Sequence, residues 1–307
     1  MTGLDKAYFS VQPEVEHALR QGMPIVALES TVITHGLPFP ENIKLASGLE
    51  DEIRGLGSVP ATIAILNGNI CVGLDSGQLD QLVHTDEVVK ISIRDIAPAV
   101  VSHKSGGTTV AGTLAIAKQV GIRVFATGGI GGVHRQAPFD VSADLGQLSR
   151  SQLVVVCAGA KAILDIPATL EVLETHGVPV IGYQTDMFPA FYAVSSGLPV
   201  SQRVENAEQV ALLAQTHWNL GMQSSILVAV PPPVDIAMDS KAIESVLQIA
   251  LDEAEQQNIH GQAVTPFLLR RVSELTGGAS LKANLGLLRN NARISAQIAH
   301  FMYPQTG

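Results

Sequence analysis

Cysteine is scarce in this chain, and its scarcity excludes a fold stapled by disulfides. Cys71 and Cys157 are the only two in 307 residues, each inside an apolar, strand-like run where a thiol behaves as a small buried hydrophobe. Positive charge is short as well: 19 Lys and Arg stand against 28 Asp and Glu, a formal net charge of −9. That balance excludes electrostatic capture of nucleic acid or of an anionic membrane. A phosphorylated ligand would need a local positive site inside an acidic envelope. No apolar run continues for the roughly 20 residues of a bilayer span without Pro, Gly or Ser breaking it. The opening "MTGLDKAYFS" has neither the basic nor the apolar region of a secretion signal. Repeats, low-complexity tracts and domain-separating linkers are missing too. The nearest linker candidate, "VPPPVDIAMDS" at residues 230–240, reads as a loop into a helical C-terminal section. The expectation is a soluble cytoplasmic protein of one domain, residues 1–307, with a core from about 12 to 302.

What the chain has in quantity is apolar residue, 46% against 15% charged, enough for a large core. Strand-like and helix-like runs alternate. Periodicity and end signals predict helices in "PEVEHALRQG", "PENIKLASGLEDEIRGLG", "TTVAGTLAIAKQVG", "DIPATLEVLETHG" and "NAEQVALLAQTHWNLG", with three more through residue 302. Strands are predicted in "PIVALEST", "VVKIS", "IRVFATGG", "QLVVVCAGA", "VPVIGY" and "SSILVAVPPP". Asn67 followed by Gly68 predicts a type I′ hairpin within "ATIAILNGNICVGL". The strand runs are continuously rich in Val and Ile, the pattern of a sheet covered by helices on both faces. The expected fold is α/β: a three-layer α/β/α sandwich around a mixed, largely parallel sheet, with a βαβ unit across residues 153–182.

Functional groups of such sheets gather at the carboxyl ends of the strands. There the sequence places Glu29 after "PIVAL", Lys90 in "VVKIS", "TGGIGG" after "IRVFA", and Lys161 after "LVVVCAGA". Lysine is seldom buried without a partner, and Lys161, closing a strand read over residues 153–160, has two readings. One is an amphipathic side chain reaching out to solvent. The other is a Schiff-base nucleophile, whose amine must be neutral to attack a carbonyl, a form favoured by desolvation or by a second cation. Lys90 could be that cation, or could hold a phosphate. Glu29 is either a carboxylate paired with a lysine or a helix start, or an acid that an apolar pocket keeps protonated at neutral pH.

Four further segments are defined by what they lack. "GGIGG", residues 128–132, does not complete G-x-G-x-x-G; it leaves backbone N–H groups approaching an anion, or a tight turn under packed helices. "KSGGTT", residues 104–109, lacks the G-K-[ST] of a P-loop, which excludes an NTPase but leaves N–H groups for phosphate before a helix. "DVSAD", residues 140–144, has Leu145 and Ser151 where an EF-hand needs Gly and Glu. It is compatible with Mg²⁺ or Mn²⁺ on one carboxylate and several waters, or with an Asp capping a helix that begins near Ala143. His35 and His134 lack H-x-x-H or Cys-His spacing, which argues against zinc.

Long blocks of the chain resemble one family. "ALESTVITHGLPFPEN", "VPATIAI", "TTVAGT", "VFATGGIGGVHR", "FDVSADL", "VVCAGAKAILD", "GVPVIGYQT", "TPFLLRRVSELTGG" and "SLKAN" resemble the pseudouridine-5′-phosphate glycosidases, also called indigoidine synthase A-like proteins, over residues 27–284. The resemblance implies an α/β/α sandwich, a homotrimer, a divalent metal (usually Mn²⁺) and a reversible reaction of pseudouridine 5′-phosphate with water to give uracil and ribose 5-phosphate. It puts the Schiff-base lysine on Lys161 and the proton-donating glutamate on Glu29. Substrate contacts fall on Lys90, Val110, Ser142, Ala143, Asp144, His134 and Asn284, and the metal carboxylate on Asp140. The segment between "GGVHR" and "FD" is shorter here, "QAP", than in many members, which bears on how His134 and Arg135 meet the phosphate. A Schiff-base aldolase acting on sugar phosphates and a non-catalytic sugar-phosphate sensor share part of this residue set.

Overall fold

Runs of Val, Ile and Ala with few charges form strands buried on both faces. The structure, a computed structural model, describes residues 7–85, 87–135, 137–259 and 264–303. Residues 1–6 of the opening "MTGLDKAYFS", on which the absence of a secretion signal was judged, and Gln136 of the short "QAP" segment lie outside the described residues. The strands are β1 (Phe9–Val11), β2 (Ile25–Leu28), β3 (Val59–Leu66), β4 (Asn69–Val72), β5 (Val89–Ile91), β6 (Gly106–Thr108) and β7 (Val124–Ala126). They continue with β8 (Val133–His134), β9 (Ala137–Val141), β10 (Val154–Cys157), β11 (Leu164–Asp165), β12 (Val180–Tyr183), β13 (Gln202–Val204) and β14 (Ile226–Ala229). The helices are α1 (Pro13–Gln21), α2 (Glu41–Gly55), α3 (Ser76–His84), α4 (Ile96–Val101), α5 (Val110–Val120) and α6 (Ala143–Leu148). The remaining helices are α7 (Ile166–Thr175), α8 (Ala207–Asn219), α9 (Ser240–Gln256), α10 (Val264–Leu275) and α11 (Ala279–Met302).

The main sheet runs β1-β4-β3-β2-β7-β10-β14-β12-β13, with β6 added to β3 and β5 to β6. Its pairs are parallel except β3 with β4 and β3 with β6. A second, antiparallel sheet has the order β11-β8-β9. Helices cover both faces of the main sheet, so the fold is the expected mixed, mostly parallel α/β/α sandwich. The long helix α11 packs on β2, β7 and β10 between α2 and α8. It therefore buries Asn284, Asn291 and Ser295 along with its apolar residues.

The 67–68 turn has the expected form: Asn67 and Gly68 have φ of 49° and 79°, and Leu66 faces Asn69. Four local readings change. The strand read over residues 153–160 leaves the ladder after Cys157, because Gly159 turns it with φ +89° against the Pro189 carbonyl, where a Cβ would come within 2.4 Å. The βαβ unit is present, but β14 lies between β10 and β12 in the sheet. "KSGGTT" is no phosphate cradle: Gly106 and Gly107 form β6, where a Cβ would meet the Val89 carbonyl at 2.3 Å and Thr34 Oγ1 at 2.4 Å. The helix at Ala143 is capped by Ser142, not by an aspartate: the Ser142 hydroxyl accepts from the Asp144 N–H. Both cysteines are buried and free, and burial pushes their thiols up to about 11 at Cys71 and about 12 at Cys157.

Candidate active site

Three adjacent parallel strands, β2, β7 and β10, end together. Leu28 pairs with Ala126 and Ala126 with Val156, so Glu29 and Thr127 leave neighbouring strands side by side. Beyond β10 the chain continues along the glycine loop: the Ala158 N–H donates to Gly128, the Ile130 N–H to Gly159, and the Lys161 N–H to Ile130. That second ladder carries Lys161 to the mouth of the same cleft. Lys90 reaches it by another route, from the middle of β5 on the side branch of the sheet, and not from a strand's carboxyl end as expected.

Two cavities meet at Glu29, Thr31, Lys90 and Lys161. The inner one is narrow and mostly apolar, walled by Val32, Phe191, Leu269 and Leu288, with His35 and Asn284 as its polar groups. The outer one is larger and more polar, bounded by Thr109, Val110, His134, Asp140, Ser142 and Asp144. The mouth between the two therefore holds one carboxyl and two amines.

Glu29 is 7% exposed. Burial raises its pKa; Lys161, the Thr127 hydroxyl and Lys90 pull the other way, and Asp144 adds to the rise. The Thr127 hydroxyl donates to Glu29 Oε1 at 2.5 Å. Lys90 has its pKa lowered, first by burial and then by Lys161, against the opposing pull of Asp144 and Glu29. His35 is likewise pushed down by burial and by Lys90, against a backbone bond to Val88, so the imidazole facing the inner cavity is neutral at pH 7. Its Nδ1 lies 2.7 Å from Thr34 Oγ1.

Asp144 is 5% exposed, and both its oxygens are taken. Oδ1 accepts from the Ala111 N–H and Oδ2 from the Gly131 N–H, each at 2.8 Å. The anion approached by the "GGIGG" backbone is thus the protein's own carboxylate, which ties that loop to the first turn of α5. The N–H of Val110, first residue of α5, has no acceptor inside the helix and borders the outer cavity, where the helix dipole favours an anion. Ser142 and Ala143 start α6 at the same wall. Arg135 points elsewhere: it donates to the carbonyls of Ala162 and Leu164 and pairs with Glu244. Among the described residues no group of three or more His, Cys, Asp or Glu side chains is placed to hold a metal. Asp140, exposed on β9 at the rim, offers one carboxylate, a donor set that fits only a hard divalent cation keeping most of its water.

Thr127, Thr31 and His35 lie at this site without having been singled out as part of it. Thr127 was discoverable as the first residue after "IRVFA", but only once β2 and β7 are known to be neighbours. Asn284 comes from α11, far along the chain from Lys161.

A buried acid and two amines gathered where two cavities join, beside the carboxyl ends of β2 and β7, define an α/β/α protein equipped for acid–base and covalent chemistry on a small molecule. The sequence model of the family described as "Indigoidine synthase A like protein" matches residues 14–301, and the chain belongs to that family. It is 52% identical to the pseudouridine-5′-phosphate glycosidase of Geobacillus kaustophilus over 93% of this chain and 96% of that one. It is 52% identical to that of Herpetosiphon aurantiacus over 94% and 95%. Among solved structures, the prealnumycin C-glycosynthase AlnA in complex with ribulose 5-phosphate aligns with a TM-score of 0.89 at 38% identity, covering 96% of this chain and 97% of that one. An indigoidine synthase A-like protein from Thermotoga maritima aligns at 0.88 and 36%, covering 95% of each.

Proposed function

We propose that this chain is a pseudouridine-5′-phosphate glycosidase that cleaves the C-glycosidic bond reversibly through a Schiff base on Lys161. The observation that carries the reading is the meeting of buried Glu29 with Lys161 where the two cavities join. The relatives' name supports the substrate, and the sugar phosphate held by AlnA supports a phosphorylated pentose in this fold. The phosphate is assigned to the outer cavity, against Lys90 and the Val110 N–H, and the flat base to the inner one, between Phe191 and Leu288 with Asn284 on its edge.

A C-glycoside has no heteroatom leaving group to protonate, so a two-carboxylate hydrolase would have to expel a carbanion. An amine avoids this. Neutral Lys161 Nζ bonds to C1′ as the C1′–O4′ bond breaks and the ring opens, the proton lost by the amine passing to O4′; the bond from C1′ to uracil C5 then breaks as the nitrogen lone pair forms an iminium and Glu29 delivers its proton to C5. Water then hydrolyses the iminium, releasing ribose 5-phosphate, and the amine and Glu29 recover their starting protonation. In reverse, C5 of uracil adds to the iminium. Asp140 would hold a Mn²⁺ or related divalent ion, whose charge helps to neutralise an anionic ligand in the outer cavity. The homotrimer and the cytoplasmic location belong to the same proposal; among the described residues no helix is long and apolar enough to cross a membrane.

Incubation with Mn²⁺, uracil and ribose 5-phosphate should yield pseudouridine 5′-phosphate, and borohydride added with ribose 5-phosphate should leave a mass adduct on Lys161. Lys90 is the second candidate for the adduct because its pKa is pulled down; a label there would reassign the nucleophile. Trapping without any uracil product would point to an aldolase or a sensor instead.

A further inference from the structure

Strand register, not a motif, chooses the partner of Glu29. The residue following Ala126 in β7 must stand beside the residue following Leu28 in β2, and that residue is Thr127. Thr127 is fixed from both sides. Its N–H donates to the Val156 carbonyl at 3.0 Å, and its carbonyl accepts from Asn291 Nδ2 of α11 at 2.8 Å. The side chain is β-branched, hence stiff at χ1, and 1% exposed. Its hydroxyl donates to Glu29 Oε1, and among the described residues that hydroxyl has no other hydrogen-bond partner.

A hydroxyl has one proton to give, and a neutral carboxyl has one O–H and one accepting oxygen. We infer that Thr127 is a positioning residue: it reserves Oε1 of Glu29 as the acceptor and confines the transferable proton to Oε2, the oxygen left for the substrate cavity. The inference rests on the proposed role of Glu29 as the acid. When the proton leaves for carbon, the same hydrogen bond becomes charge-assisted and strengthens. Its contribution therefore rises along the proton-transfer step and belongs to kcat more than to KM. The charged groups facing Glu29 are Lys161 and Lys90, which favour its carboxylate, and Asp144, which opposes it; Thr127 acts with the lysines.

The test compares Thr127→Val, which keeps the shape and loses the hydroxyl, with Thr127→Ser, which keeps the hydroxyl. For Thr127→Val, kcat for pseudouridine 5′-phosphate cleavage should fall about ten- to a hundredfold with KM within about twofold. Borohydride trapping of ribose 5-phosphate on Lys161 should stay at the parent level. The alkaline limb of the kcat profile should move to higher pH, because a donor that favours the carboxylate has been removed. Thr127→Ser should restore most of kcat and return the limb. Parent-like kcat and limb in Thr127→Val would overturn the inference. So would a loss of trapping that matches the loss of turnover and is not rescued by serine, since that marks a structural role. Glu29→Gln is run in parallel: turnover surviving there removes the acid assignment itself, whatever Thr127 does, so the two failures are told apart.

Discussion

Glu29 is held by opposing forces. Removing its carboxyl from water favours the neutral acid, while Lys161, Thr127 and Lys90 favour the anion, and burial prevails. A general acid has to keep its proton at working pH and still release it, which this balance permits. The same balance touches stability. Because the folded state raises the pKa above its ordinary value of 4.5, Glu29's favourable contribution is fully present below about pH 4.5 and is lost as pH rises through the folded value. Glutamine has no proton to lose. Glu29→Gln should therefore gain stability relative to the parent as pH rises from 5 to 8, read from urea midpoints at the two pH values. A gap that stays constant would mean that the lysines, and not burial, control this carboxyl.

Among the elements, the first turn of α5, the glycine loop after β7 and the start of α6 are joined through one side chain, Asp144. Gly131 has to be glycine for this: a Cβ there would lie 2.3 Å from Ser142 Oγ and 2.8 Å from Asp144 Oδ2. Asp144→Asn keeps one accepting oxygen and turns an NH₂ toward the other backbone N–H. The expected loss is about 2 to 3 kcal/mol of stability and at least tenfold in turnover, as the Val110 N–H loses its fixed position. Chemical denaturation and steady-state rates check it, and an unaltered melt would show that water replaces the missing acceptor. Legibility in the sequence follows the same physics. Strands such as β3 and β14 were readable because uninterrupted Val, Ile and Ala runs suit burial on both faces. The two-residue strands β8 and β11 exist only by pairing with each other and with β9, so no local pattern announces them. Glu29 and Lys161 stood out because a charge after an apolar run is unusual. Thr127 and His35 did not, since strand order and cavity walls are tertiary facts that no window of residues contains.

At the scale of the whole molecule, an acidic protein is proposed to take an anionic substrate. The formal charge is −9, yet the outer cavity offers Lys90 and the N–H of Val110, which has no acceptor inside its helix. The two fields differ in range. Repulsion from the whole surface acts over the Debye length, about 30 Å at 0.01 M salt and about 8 Å at 0.15 M, whereas contacts at the half-buried lysine and the buried helix start act within a few ångströms. Raising salt across that interval should remove repulsion faster than it weakens the site. Thus kcat/KM for pseudouridine 5′-phosphate should hold or rise modestly, about one- to threefold, where a basic phosphate-binding surface would show a steep fall. A chloride series at fixed Mn²⁺ measures it. A tenfold decline would show that a positive field open to solvent steers the substrate, and the cavity between α5 and β5 would no longer be its sole source of attraction.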